Sequence, residues 1–201
     1  MTFQGPELDK TPANFTAMSP VTMLKRVERV HPELPAQIHG NICRDWGEVA
    51  LRCRRLASAL AKRGVKKGDT VALIAPNIPE ALECALAVPM IGAVLNANNI
   101  RLDARTLGYI LEHGEASVLL VDTEFSQLAC EAVALSGRRL LIIDIEDSEG
   151  PGGDRIGELT YEALLAEGSD DFPYTLPDDE WDALALNYTS GTTGQPKGVV
   201  Y

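Results

Sequence analysis

The stretch of this chain best equipped for chemistry is Tyr188 to Val199, YTSGTTGQPKGV. Four hydroxyls, from Thr189, Ser190, Thr192 and Thr193, stand among three glycines, with one lysine, Lys197, near the end. Glycines let a backbone turn tightly and bring its N–H groups close to an anion. Many short donors and one mobile positive charge suit a polyphosphate. The string is not a Walker A loop, in which Gly-Lys runs directly into Ser or Thr at the opening of a helix. Here Pro196 precedes Lys197 and Gly198 follows it, and both disfavour a helix interior. The pattern predicts a loop between two extended segments. A flexible Gly/Ser/Thr turn with no ligand is the plainer alternative. Ser190 is no hydrolase nucleophile by its surroundings, since GxSxG is absent around it.

The elements that must hold this loop are readable from periodicity. Residues 1–19 are polar with interspersed prolines and read as an extended arm. Val21, Leu24 and Val27, with Val30 less neatly, have helical spacing. Gln37 to Cys43 reads as a short hairpin turning at Gly40-Asn41. Asp45 and Glu48 form a capping-box pattern ahead of a helix whose inward stripe is Val49, Cys53, Leu56 and Leu60, stopped by Gly64. The basic residues Arg52, Arg55, Lys62 and Arg63 lie mostly off that stripe and read as a solvated face. Strands follow at Thr70–Ala75, Ala93–Leu95, Ser117–Val121 and Leu140–Ile145, separated by helices at Glu80–Val88, Ala104–His113 and Phe125–Leu135. This alternation predicts an α/β fold, a mainly parallel sheet flanked by helices. Asp147 to Glu158, acidic and rich in glycine, reads as a surface excursion. Tyr161–Ala166 reads as a short helix, Asp170–Glu180 as another acidic loop, and Asp182–Tyr188 as the strand delivering the phosphate loop.

Composition narrows the rest. With 45% hydrophobic residues, 201 residues can bury a sizeable core. The net charge of −11 is concentrated late: residues 1–140 hold 16 basic and 15 acidic side chains, residues 141–201 hold 2 and 14. That balance argues against a nucleic-acid binder, which needs a basic face. Cys43, Cys53, Cys84 and Cys130 match no zinc spacing and read as reduced, mostly buried thiols. No signal peptide or transmembrane stretch is visible, so cytoplasmic is the default. His113, at a helix C-terminus, reads as a dipole-compatible cap rather than a base.

The twelve-residue loop string closely resembles the phosphate-loop signature of the adenylate-forming (AMP-binding) superfamily. Two further stretches, Arg55–Asn99 (RLASALAKRGVKKGDTVALIAPNIPEALECALAVPMIGAVLNANN) and Arg101–Phe125 (RLDARTLGYILEHGEASVLLVDTEF), are similar to the first α/β portion of acyl-CoA synthetases. The second of these, with DEWDALALNYTSGTTGQPKGVVY, resembles the short- and medium-chain branch: 3-methylmercaptopropionyl-CoA ligases and plant-type acyl-activating enzymes.

The resemblance implies an ATP-dependent acid–CoA ligase. Such an enzyme joins a carboxylic acid, short- or medium-chain fatty or methylthio, to AMP and then to coenzyme A, with Mg2+ as the metal. Thr189, Ser190, Gly191, Thr192, Thr193, Gly194 and Lys197 would hold the β- and γ-phosphates, with Thr189 the hydroxyl near magnesium. Gly191, Gly194 and Gly198 would permit close backbone approach, while Gln195 at the tip carries no assigned role. The adenine, ribose, acyl and CoA contacts of the superfamily are expected downstream of this loop. Residues 20–201 therefore read as an incomplete, N-terminal portion of an AMP-binding domain, with no catalytic residue of its own and no turnover alone. An apolar edge is expected around Leu184, Leu186, Val199 and Val200. The partners implied are ATP and a small carboxylic acid, with neither nucleic acid nor a transmembrane segment; a homo-oligomer is left open. A non-catalytic phosphate- or nucleotide-binding module is the alternative from a different class.

Overall fold

The computed structural model describes residue 5, residues 9–189 and residues 195–201. Helix α1 (Pro20–Val30) leads to the hairpin β1 (Pro35–His39) and β2 (Ile42–Asp45), then to α2 (Trp46–Lys62). The α/β part follows: β3 (Thr70–Ile74), α3 (Pro79–Ala87), β4 (Val94–Ala97), α4 (Ala104–His113), β5 (Ala116–Asp122), α5 (Ser126–Ser136) and β6 (Leu141–Ile145). After a long loop come β7 (Leu159–Thr160) and α6 (Tyr161–Glu167), and finally β8 (Leu186–Thr189) and β9 (Lys197–Val200).

Five strands form one parallel sheet in the order β4-β3-β5-β6-β7. Its apolar side chains alternate between two faces as a pleated strand requires. Val71 and Leu73 of β3, with Val118 and Leu120 of β5, face one core built from α1, α2, α3 and α6. Ala72 and Ile74, with Leu119 and Val121, face a second core under α4 and α5. The mainly parallel sheet with helices on both faces is thus the architecture that the strand–helix alternation predicts. Local capping matches too. Asp45 accepts from the Glu48 amide at 2.8 Å while Glu48 reaches back to the Asp45 amide at 3.1 Å. Asp103 caps α4 by accepting from Thr106, and burial along α2 falls on Val49, Cys53, Leu56 and Leu60.

Several expectations are corrected. The basic side of α2 is only partly a solvated face: Lys62 and Arg63 are exposed, Arg52 and Arg55 are half-buried, and all four find partners. Arg52 bridges Glu83 and Glu162, Arg55 pairs with Asp170, and Arg63 pairs with Glu167, whose carbonyl also accepts from Lys62. Part of the acidic late segment, Glu162, Glu167 and Asp170, folds back over the basic helix. The excursion from Asp147 to Glu158 is exposed at residues 151–155. Asp147, however, is tucked inward on His39 at 3.0 Å, and Glu149 accepts from Asn41, so the loop's first turn clamps the β1–β2 hairpin. Of the cysteines only Cys53 and Cys84 are buried. Cys43, on the outer side of its hairpin, and Cys130, on the outer face of α5, are exposed. Burial pushes the Cys53 and Cys84 thiols up and keeps them protonated.

Gly168, just after α6, shows how closely the acidic segment is laid on α2. A methyl group there would run into the backbone carbonyl of Arg55. Gly168→Ala is expected to cost about 1–3 kcal/mol, the usual cost of overpacking. A lowered urea midpoint with unchanged slope is the expected signature; an unchanged midpoint would show that α6 can lift off α2 freely.

Candidate functional site

The phosphate-loop string is carried by an antiparallel hairpin. Leu186 pairs with Val200, Asn187 with Val199, Tyr188 with Gly198 and Thr189 with Lys197. The two extended segments expected on either side of the loop are therefore present as β8 and β9. Ser190, Gly191, Thr192, Thr193 and Gly194 lie outside the described residues. Thr189 and Lys197 are the last ladder pair before that connection, and both are exposed. Directly paired residues share a face of the ladder, with Cβ atoms about 4.5–5.5 Å apart. One hydroxyl and one ammonium thus leave the two roots of the loop on the same side. Among the described residues no carboxylate lies within ion-pairing distance of Lys197.

Gly198 also has a packing role. It sits within β9 opposite Tyr188, and a Cβ there would lie 3.1 Å from Leu186 Cδ1 and 3.6 Å from the Tyr188 ring. Its small size serves cross-strand packing. The apolar edge expected around the hairpin is concentrated at its end: Val200 is 63% and Tyr201 64% exposed, while Leu184, Leu186 and Val199 are half-buried.

The hairpin is fastened to the parallel sheet at its base. The Leu95 amide donates to the Leu184 carbonyl at 3.0 Å, and Leu95 and Ala185 form a parallel bridge. Beside them the Asn96 side chain donates to the Leu186 carbonyl at 2.7 Å. Asn96 is buried, and its own oxygen accepts from Asn98 at 3.0 Å. The sequence reading ends this short strand at Ala93–Leu95 and passes over Asn96. The available signal was a polar amide within an apolar strand, which must find partners when buried.

His113 is not only a helix cap. Its Nδ1 lies 2.7 Å from the Tyr188 hydroxyl, with the two rings edge to face. Burial, with Tyr109 close by, pushes the Tyr188 hydroxyl up, so it remains a neutral phenol. Beneath the hairpin is a cleft of about 280 Å3 bounded by Gly68, Thr70, His113 and Gly114. A separate cavity of about 170 Å3 under Met18, Pro89 and Leu176 offers no anion site. Its lysine, Lys67, is held by Asp182 at 2.8 Å and Asp178 at 3.2 Å.

Among the described residues no cluster of carboxylates, histidines or cysteines has the makings of a metal site. A metal held here would need oxygens from a ligand. Mg2+ commonly binds in that way, through one or two protein groups, substrate phosphates and water, and an exposed hydroxyl such as Thr189 fits one such position. Among the described residues no helix is long and apolar enough to cross a membrane.

A family model described as AMP-binding enzyme matches residues 24–201. The chain is 47% identical to a peroxisomal acetate/butyrate–CoA ligase of Arabidopsis thaliana over 96% of this chain and 36% of that protein. It is 41% identical to an acetate–CoA ligase of Humulus lupulus, again over 96% of this chain and 36% of the relative. The crystal structure of an anthranilate–CoA ligase with anthranoyl-AMP has the same fold, with a TM-score of 0.83 at 24% identity over 96% of this chain and 36% of that one. A fatty acyl-CoA synthetase of Mycobacterium tuberculosis gives a TM-score of 0.71 at 27% identity, over 90% of this chain and 34% of its own. The chain thus spans about a third of the length of the relatives it matches.

Proposed function

The chain belongs to the AMP-binding enzyme family, and on that premise we propose that it forms part of an ATP-dependent acid–CoA ligase acting on a short- or medium-chain acid, fatty or methylthio. The observation that carries the reading is the hairpin that sets Thr189 and Lys197 side by side at the roots of a TSGTTGQPKG loop, in a chain similar to acetate– and butyrate–CoA ligases.

In the first half-reaction a carboxylate oxygen attacks the α-phosphorus of ATP, the bond to the β-phosphate oxygen breaks, and pyrophosphate leaves with the charge. In the second, the sulfur of coenzyme A attacks the acyl carbon and AMP departs. The first step asks chiefly for positioning and for compensation of charge on the leaving group. Lys197 meets that charge with an ammonium on a flexible stem, and Ser190, Thr192 and Thr193 add hydroxyl donors in the sequence between the two strands. Pro196 restricts the loop just before Lys197. Thr189 would supply one oxygen to Mg2+, which when bound would neutralise phosphate charge. The hairpin ladder fixes the backbone of both roots, which favours a preorganised electrostatic site.

The test is ATP–pyrophosphate exchange with the complete polypeptide, using acetate, butyrate, 2-methylpropanoate, 3-methylthiopropanoate and octanoate in turn. Exchange dependent on at least one acid, with AMP and thioester formed once coenzyme A is added, is expected. MgATP binding with no exchange for any acid would instead favour a nucleotide-binding module without ligase activity.

A further inference from the structure

We propose that His113 and Tyr188 form a positioning pair that sets the tilt of the β8–β9 hairpin and thereby the readiness of its loop to receive a polyphosphate. The inference rests on the phosphate-loop reading above and adds residues that lie outside the loop string itself.

The geometry is specific. Tyr188 immediately precedes Thr189, the first loop root. Among the described residues, the segment 186–200 makes two side-chain hydrogen bonds to the rest of the fold: Asn96 to the Leu186 carbonyl, and Tyr188 to His113. The first fastens the base of β8. With the contacts of Leu95, which bonds the Leu184 carbonyl and bridges Ala185, it sits at or before Leu186, so among the described residues the far end of β8 is held only by what lies beyond it. The Tyr188–His113 bond holds β8 further along, one residue before the loop root, beside the cleft that both residues line. Two glycines make the seat. At Gly114 a Cβ would lie 3.3 Å from the Tyr188 hydroxyl and 3.2 Å from Leu186 Cδ2. Across the ladder, Gly198 leaves room for the tyrosine ring. Tyr109 also packs by the imidazole, with centroids 5.3 Å apart and planes tilted by 31°.

The hydroxyl can donate to a neutral ring or accept from a protonated one, so the bond does not depend on one charge state of His113. Losing it should leave the fold in place but lower the fraction of molecules whose hairpin is correctly tilted. Apparent affinity falls in proportion to that fraction. His113 is exposed, which places the effect at the low end for a neutral hydrogen bond, about a two- to fivefold rise in Kd.

The experiment measures binding of MgATP and of AMP by calorimetry in the complete polypeptide. The variants are Tyr188→Phe, His113→Leu, their double, and His113→Asn, whose carbonyl oxygen falls near the Nδ1 position. Each single variant is expected to weaken MgATP binding about two- to fivefold while AMP binding, which needs no β- or γ-phosphate contact, stays unchanged. The double should be no worse than either single, since they remove the same contact, and His113→Asn should restore most of the affinity. Variants that bind MgATP as the unaltered protein does would overturn the pair alone. So would equal weakening of MgATP and AMP, which marks a general structural defect, or additive losses in the double. An unaltered protein that binds no MgATP overturns both this inference and the phosphate-loop reading.

Discussion

Glu83→Ala is expected to destabilise this chain by about 3 kcal/mol, the low end for breaking a buried ion pair by removing one partner. Glu83 on α3 is fully buried. It accepts from Arg52 Nε at 2.7 Å, from Arg44 at 2.9 Å and from the Tyr161 hydroxyl at 2.8 Å. One carboxylate thereby joins α3 to β2, α2 and α6. Burial pushes the Glu83 carboxyl up, opposed by Arg52 and Tyr161; burial also works against the Arg52 charge, but Glu162 and Glu83 outweigh it and hold the guanidinium up. Removing Glu83 leaves two guanidiniums and a buried phenol facing a gap. The low end applies because Arg52 keeps Glu162 and Arg44 keeps a longer contact to Glu80. Against a typical total of about 5–15 kcal/mol, such a loss is large. Urea denaturation of the variant should show it directly. A loss below about 1 kcal/mol would mean that the arginines swing into water and that the cluster does not hold these helices together.

That cluster also shows where sequence reading stops. Periodicity assigned the inward face of α2 from Val49, Cys53, Leu56 and Leu60, because apolar spacing reports which side is buried. It reports nothing about what lies against the other side. Arg52 and Glu162 are separated by 110 positions and meet only because α6 packs along α2. A basic helix and a distant acidic segment therefore look like two solvated surfaces. The same holds for Asp147 and His39, and for Tyr188 and His113, which are 108 and 75 positions apart. Caps were legible because their partners are three residues away, as with Asp45 and Glu48. The parallel sheet followed from alternation of strands and helices, whereas the strand order and the two-residue β7 carry no local signal. At the site, composition marked the loop and its lysine. The hairpin register that brings Thr189 beside Lys197, and the packing role of Gly198, emerged only once β8 and β9 were paired.

The most direct test of the phosphate-loop assignment is Lys197→Ala in the complete polypeptide, measured by pyrophosphate exchange beside thioester formation from supplied acyl-adenylate. A hydrogen bond to a charged group contributes about 1.5–3 kcal/mol. At about 1.4 kcal/mol per decade, its loss corresponds to a roughly ten- to hundred-and-fifty-fold slower exchange. The loss should be partial, because backbone donors and Thr189 remain. The second half-reaction starts after pyrophosphate has gone and should change little. The control must be a charge without a structural partner, which rules out Arg55 because it is paired with Asp170. Lys25 on the exposed side of α1 serves instead, and Lys25→Ala should leave both steps unchanged. Exchange slowed at least tenfold by Lys197→Ala, with thioester formation from adenylate intact, is the expected result. Exchange unaffected by Lys197→Ala, in a protein that otherwise exchanges pyrophosphate, would contradict the placement of this lysine on the departing phosphates.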